Sequence, residues 1–252
     1  MQQPIVSNPP AGKPSLARYL WQEWLRPTGE ALLLALLNTT FAFTTVGVVG
    51  TSDLPNLHPG ERLVVPKYQT WLHRFGIGSF KRGDLVVVKP PLTDPYAIQP
   101  LPLLGQFGVN FRPFFIKRIV ALPGDRIRME QGQLFVNGVA VDESHTVPYW
   151  RSLGQLDTIS DRANSDAWPF RQGQTGEYVV PAGMYFVMGD NRSYGGSEDS
   201  RAFGPVSLDQ IGGKASFVLW PPFRRDENGK WRINWRIMGT PEGFRVLEPG
   251  RP

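Results

Sequence analysis

A chain of 252 residues and 28.3 kDa has room for one large domain or two small ones and for a full hydrophobic core. A hydrophobic fraction of 41% against 19% charged residues excludes wholesale disorder, and the lack of any cysteine excludes disulfides, thiolate metal sites and a cysteine nucleophile. The net charge of +5 admits an anionic surface or nucleic acid as partner, while Gly and Pro, together about a fifth of the chain, favour a turn-rich, mainly β architecture.

Residues 1–14 are rich in Pro, Gln and Asn and read as a disordered arm. Ser15 is placed as an N-cap for residues 15–27, where Leu16, Leu20 and Trp24 form one apolar row and Ala17, Trp21 and Leu25 its neighbour. With Arg18 and Arg26 beside them, these rows suit either a helix packed on a core or an amphipathic helix at a membrane interface. From Ala31 to Ser52 no charge occurs, so a transmembrane anchor is expected over 28–48, with a buried core segment as the alternative. Its second half, FAFTTVGVV, equally suits the start of a strand, and a strand is expected to take over between about Phe43 and Val49. Lys13, Arg18 and Arg26 precede the run and place the N-terminus in the cytoplasm, with everything after about residue 50 outside.

From residue 49 to 252 the pattern is of short strands and turns. LVV (63–65) and DLVVVK (84–89) read as buried strands, and IKRIVALPGDRIRME as two strands around a Leu-Pro-Gly-Asp turn. LFVNGVAV (134–141) carries the Asn-Gly hairpin signal, and EYVVPAGMYFVM (177–188) reads as a strand pair around Pro-Ala-Gly. WRINWRIM alternates strictly and reads as a half-buried strand, with Trp231, Ile233, Trp235 and Ile237 on one face. Residues 91–113 and 142–176 lack periodicity and read as insertions. Basic residues are scattered over strands and turns with no nucleic-acid-binding pattern, so no nucleic acid is expected. His58, His73 and His145 lie far apart and form no metal motif.

Three segments combine reactive and backbone-constraining residues. In GTSDLPNLHPGERLVV (50–65), Ser52 sits in a Gly/Pro-bounded turn, as a plain turn former or as a rigidly held nucleophile. In FFIKRIVALPGD (114–125), Lys117 lies among apolar neighbours; burial lowers a lysine's pKa, as a general base requires, whereas an edge position leaves it hydrated. MGDNRSYGGSEDSRAFGPV (188–206) is a loop knitted by ion pairs or a scaffold for the other two.

Taken together, these segments resemble the type I signal (leader) peptidase family, membrane-anchored serine proteases with a Ser–Lys dyad. The counterparts, in order, are GTSDLPNL (50–57), RGDLVVVKP (82–90), FIKRIVALPGD (115–125), GDNR (189–192) and SEDSR (197–201), and the likeness runs from about 15 to 237. The resemblance implies an N-terminal transmembrane helix followed by an antiparallel, barrel-like β catalytic domain that needs no metal or cofactor. It makes Ser52 the nucleophile, Lys117 its general base and Ser197 the serine that hydrogen-bonds the lysine. Arg118 with Asp190, and Asp199 with Arg201, become structural pairs, with Arg192 in the same box. It lays extended substrate between Val46–Gly50 and Phe114–Ile116, so that Val46, Val48, Gly50, Phe114, Phe115 and Ile116 line shallow pockets. The implied substrates are exported precursors with Ala-x-Ala-like sites, cleaved at the outer face of a lipid bilayer.

The nucleophile box departs from the family. Gly50 lacks the hydroxyl that often completes the oxyanion hole, and Asn56 replaces threonine. Asp53 replaces methionine; a carboxylate there favours an ammonium on Lys117 and opposes its role as base. Two extra residues within SYGG (193–196) separate GDNR from Ser197. A second expectation is therefore a catalytically weakened relative that binds exported chains or serves as a subunit of a membrane complex.

Overall fold

The computed structural model describes residues 15–158, 177–226 and 228–247. The expected arm over 1–14 and the later part of the 142–176 insertion lie outside the described residues. The chain divides into two compact units, 1–42 and 43–252.

The described part of the first unit is helical. The Ser15 hydroxyl accepts the Arg18 N–H at 3.4 Å, and α-helix Leu16–Leu20 passes through a π-wound segment, Trp21–Leu25, into α-helix Arg26–Leu37. A second π-wound segment, Asn38–Ala42, ends the run, and Thr39 donates its hydroxyl to the Ala35 carbonyl at 2.8 Å. Every residue from 15 to 42 is exposed, including Leu32, Leu33, Leu34, Leu36 and Leu37.

The anchor expected over 28–48 is corrected at its end. Helix gives way at Ala42, and Phe43–Gly47 is a strand in register with Arg62–Pro66. Thr44, Thr45 and Val46 are β-branched, and pairing rewards the pleated conformation they favour. Arg26 and Glu30, paired at 2.8 Å, bound the other end. The uncharged helical residues 31–42 therefore extend only ~18 Å, short of a hydrocarbon core of ~30 Å. Among the described residues no helix is long and apolar enough to cross a membrane.

The second unit is built mainly of antiparallel sheets. One has the order Phe43–Gly47, Arg62–Pro66, Phe217–Trp220, Arg236–Ile237. A second runs Val206–Ser207, Met184–Met188, Phe115–Ala121, Leu85–Val88, Ile211–Lys214. A third runs Tyr178–Val179, Arg126–Glu130, Gln133–Val136, Val139–Ala140. Buried Val48, Leu57, Leu63, Leu85, Val87, Ile116 and Val218 form the cluster that joins the first sheet to the second. Separate clusters around Phe80, Val86 and Ile119, and around Val120, Leu134, Phe186 and Phe244, back the rest.

The Asn-Gly hairpin forms as read, with Asn137 at φ 51° and Gly138 at φ 80° in the left-handed region such a turn needs. Two expectations are corrected. EYVVPAGMYFVM is no hairpin: Tyr178–Val179 pairs with Arg126–Ile127, whereas Met184–Met188 pairs with the lysine strand. WRINWRIM is not one half-buried strand: Trp231–Ile233 pairs with Phe223–Arg225, and Arg236–Ile237 pairs with Phe217–Val218 in another sheet. Trp231, Ile233, Trp235 and Ile237 are all more than half exposed, while the intervening Asn234 is buried and donates to the Pro221 carbonyl at 3.1 Å.

Candidate active site

Strand Phe43–Gly47 leads into the turn that carries Ser52. Its exit is pinned by Val48 N–H donating to the Glu61 carbonyl and Gly60 N–H to the Val48 carbonyl, both at 2.8 Å. Glu61, 1% exposed, accepts two bonds from Arg236, which also donates to the Asn56 carbonyl at 2.8 Å. Leu57 is fully buried beneath the turn, and Leu57 N–H donates to the Asp53 carbonyl at 2.8 Å. Ser52 is thus half-buried on a turn tied at both ends, the rigid mounting a nucleophile needs. Its hydroxyl donates to Asp53 Oδ2 at 2.8 Å. A Cβ on Gly50 would meet nothing within 4 Å, so space stands open where the oxyanion-binding hydroxyl is absent.

Lys117 lies mid-strand, opposite Val86, in a sheet covered on both sides, and is 2% exposed. Its Nζ lies 5.5 Å from the ring centre of Phe115, two residues before it and therefore on the same face. Arg118 points the other way, into a buried fork: Nε and Nη2 reach the two Asp190 carboxylate oxygens at 2.8 and 2.5 Å. Burial alone raises the Asp190 carboxyl, but the Arg118 charge and hydrogen bonds outweigh it and hold the pKa at about 2. Asn56 donates to the same carboxylate at 2.8 Å, which explains a polar amide in the nucleophile box.

The GDNR segment is the backing of the nucleophile. Asn191 N–H donates to the Ser52 carbonyl at 2.8 Å and its side-chain amide to the Thr51 carbonyl at 3.1 Å. Gly189 N–H donates to Asp199 Oδ2, whose carboxylate is gripped by Arg201 through Nε and Nη2, each at 2.9 Å. Arg192 Nε donates to the Gly189 carbonyl at 2.9 Å, and its Nη2 lies 2.6 Å from Glu143, an ion pair off-line for a hydrogen bond. The hydroxyl of Ser197 is buried without a hydrogen-bond partner, so the bond to Lys117 implied for it is not made. A Cβ on Gly189 would overlap both that hydroxyl and the Ser52 carbonyl. Gly189→Ala is accordingly expected to lower the urea midpoint by the equivalent of ~1–3 kcal/mol and to slow turnover with it. A midpoint and rate unchanged from wild type would remove GDNR from the support of the turn.

Ser52, Asp53 and Lys117 open on one cleft of about 860 Å³. All six proposed wall residues, Val46, Val48, Gly50, Phe114, Phe115 and Ile116, line it. The remaining lining comes partly from the 91–113 insertion, through Tyr96, Gln99, Pro100, Pro102, Phe111 and Pro113. There a short hairpin, Gln99–Pro100 with Asn110–Phe111, folds a segment without periodicity into a wall. Glu143, Thr146 and Trp150, from the other insertion, were equally unmarked: Thr146 and Trp150 donate to the Asp190 carbonyl. Only a Trp in a polar stretch hinted at burial there.

The family model described as "Signal peptidase, peptidase S26" matches residues 21–220. Signal peptidase I S of Bacillus subtilis (strain 168) is 36% identical over 200 residues, covering 79% of this chain and 89% of that one. Signal peptidase I of Bacillus caldolyticus is 35% identical over 181 residues, covering 72% and 81%. Signal peptidase I of Bacillus licheniformis is 34% identical over 201 residues, covering 79% and 88%. With the motif segments gathered about one cleft and relatives matched over most of their length, the chain belongs to the signal peptidase family, peptidase S26.

Proposed function

We propose that this chain is a membrane-attached serine endopeptidase that removes N-terminal signal peptides from exported precursors by a Ser–Lys acyl-enzyme mechanism. Ser52 is the nucleophile, and Lys117 is the buried amine that supports its deprotonation. The observation that carries the reading is the shared cleft: Ser52 and Lys117 both line it, together with residues of the two strands that would hold an extended peptide. Val46, Val48 and Ile116 offer shallow apolar walls suited to the small side chains of an Ala-x-Ala-like site.

Two surfaces support attachment to lipid. The helical run is exposed and carries no charge from 31 to 42, and on the catalytic unit Phe223, Trp231 and Ile233 are exposed on a hairpin that also carries Arg224, Arg225 and Arg232, with exposed Trp220 shortly before it. Aromatic side chains beside arginines suit the interface of an anionic bilayer. The order of charges before Ala31 favours a cytoplasmic N-terminus and an outward-facing catalytic unit.

One observation favours a second reading, a relative that binds exported chains without cutting them: the Ser52 hydroxyl is engaged by Asp53. The discriminating experiment incubates the full chain, in anionic lipid vesicles, with a precursor bearing an Ala-x-Ala site and sequences the product N-terminus. The proposal expects one new N-terminus immediately after the second alanine. Precursor that co-sediments with the vesicles uncut contradicts it in favour of the binding protein.

A further inference from the structure

The 91–113 insertion builds one wall of the cleft and then runs on beyond it. No charged residue occurs from 95 to 111, and the stretch is rich in leucine, phenylalanine and proline. Its base is tied down: buried Asp94 accepts the Tyr96 N–H at 2.7 Å, Ala97 is buried, and Arg112 donates to the Pro90 carbonyl at 2.6 Å. Its tip is closed by its own backbone. Leu101 N–H donates to the Val109 carbonyl at 2.9 Å and Phe107 N–H to the Leu104 carbonyl at 3.0 Å, and a Cβ on Gly105 would overlap Pro100. The large side chains of the tip take no part in this closure and face solvent: Leu103 is 88% exposed and Phe107 74%, with Leu104 and Val109 exposed beside them. Leu103 also sits at φ 66°, in the left-handed region where glycine or asparagine is the usual occupant. A contiguous apolar surface that the fold leaves uncovered, joined to a cleft, is the mark of a binding surface.

We propose that this hairpin is a specificity element that receives the apolar stretch of the signal peptide just before the cleavage motif. It rests on the Ser52–Lys117 protease reading and assigns what is recognised beyond the Ala-x-Ala residues. With those residues held against Val46, Val48 and Ile116, the peptide runs from the cut away from Lys117 and toward Phe114. An extended chain advances ~3.3 Å per residue, so the fourth residue before the cut lies ~10 Å out. That is level with Phe114, three residues along the chain from Lys117. The residues before it then meet Pro113, Phe111 and Pro100, all of which line the cleft. A signal peptide carries at that place the end of an uncharged apolar run of ~7–15 residues. Lying along the hairpin, that run covers Phe111 and then the exposed tip at Leu103 and Phe107.

A bilayer is the other apolar occupant, and two observations favour the peptide. The hairpin has no arginine or lysine from 95 to 111 to meet anionic headgroups, whereas Arg224, Arg225 and Arg232 supply them on the exposed hairpin Phe223–Arg225 with Trp231–Ile233. Its inner side is already part of the cleft wall, which puts its apolar surface in line with the bound substrate. The wall is also built before the peptide arrives: its strands Gln99–Pro100 and Asn110–Phe111 are paired and its tip is hydrogen-bonded, so little ordering cost falls on binding.

The test compares two synthetic precursor peptides of equal length, identical from Ala-x-Ala onward, with leucine or with serine at the fourth to eighth positions before the cut. For the full chain, kcat/KM is measured in detergent micelles and in anionic vesicles for wild type, Phe111→Ala and the double variant Leu103→Ser with Phe107→Ser, with unfolding midpoints in parallel. Wild type is expected to prefer the leucine peptide by ~10–100-fold in both media. Each variant is expected to lose about tenfold on the leucine peptide and less than about twofold on the serine peptide, with midpoints close to wild type. If the variants keep the wild-type preference, or lose activity equally on both peptides, the hairpin does not read the apolar stretch. An equal loss confined to vesicles marks it as a lipid contact and overturns the proposal as well. Should Phe111→Ala fail to fold, the double variant decides, since its side chains lie farthest into solvent. Wild type that cuts neither peptide in either medium would instead overturn the underlying protease reading, and the proposal with it.

Discussion

Ser52→Ala is expected to lower kcat for precursor cleavage by about 10⁶-fold, the scale set by removing the nucleophile of an acyl-transfer site whose groups act as a unit. The loss is chemical. The turn stays tied by the Ser52 carbonyl, which accepts the Asn191 N–H, and by the Leu57 and Val48 backbone bonds, none of which involves the hydroxyl. What the fold does lose is a donor to Asp53, already a buried carboxylate with one unpartnered oxygen. Leaving Oδ2 unpaired as well costs ~1–3 kcal/mol, so a modest fall in the unfolding midpoint accompanies the kinetic loss. Binding of a signal peptide measured by fluorescence anisotropy is expected to persist, since the cleft walls are untouched. A variant that cleaves within tenfold of wild type excludes Ser52 as nucleophile.

Arg118→Ala is expected to destabilise the catalytic unit by about 3–5 kcal/mol, the cost of stripping one partner from a buried ion pair. Asp190 is fully buried and would keep, among the described residues, the Asn56 amide at 2.8 Å and His145 at 3.8 Å about its carboxylate. In wild type the depressed carboxyl stabilises the fold in full above the ordinary carboxylate range, near 4, and that contribution is lost as pH falls toward about 2. Removing Arg118 releases the carboxyl upward, so the folded variant takes up the proton before the unfolded chain does and its deficit shrinks as pH falls. Denaturant titrations at pH 7 and pH 4 check both parts: the wild type–variant gap is large at 7 and narrows toward 4. A gap below 1 kcal/mol at neutral pH contradicts the account of this pair as the site's foundation.

Much of the site was legible because its chemistry is carried by short, constrained segments. The LPGD turn is an example. Asp125 accepts the Leu122 N–H at 2.7 Å while Arg82, from RGD, grips its carboxylate, so two boxes 43 residues apart in sequence meet in one fork. The helix end was not legible in detail, because Phe43–Gly47 suits helix and strand alike until Arg62–Pro66 supplies its hydrogen bonds. The alternation of Trp231, Ile233, Trp235 and Ile237 suggested one half-buried strand, but the segment breaks at Asn234 into strands of two sheets and these side chains stay exposed, which depends on packing that no local period encodes. The cleft wall from 91–113 gave no signal, since a proline-rich hairpin of two-residue strands has no period to read. Asp53 was readable only as a departure; its hydrogen bond with Ser52 is visible only in the folded turn.

The most direct measurement is mass spectrometry of the enzyme acid-quenched during turnover of a signal-peptide substrate. The peptide containing Ser52 is predicted to carry an added mass equal to the acyl fragment on the N-terminal side of the cut, and to lack it in Ser52→Ala. Turnover with no such adduct on Ser52, or with the adduct on another side chain, would contradict the account.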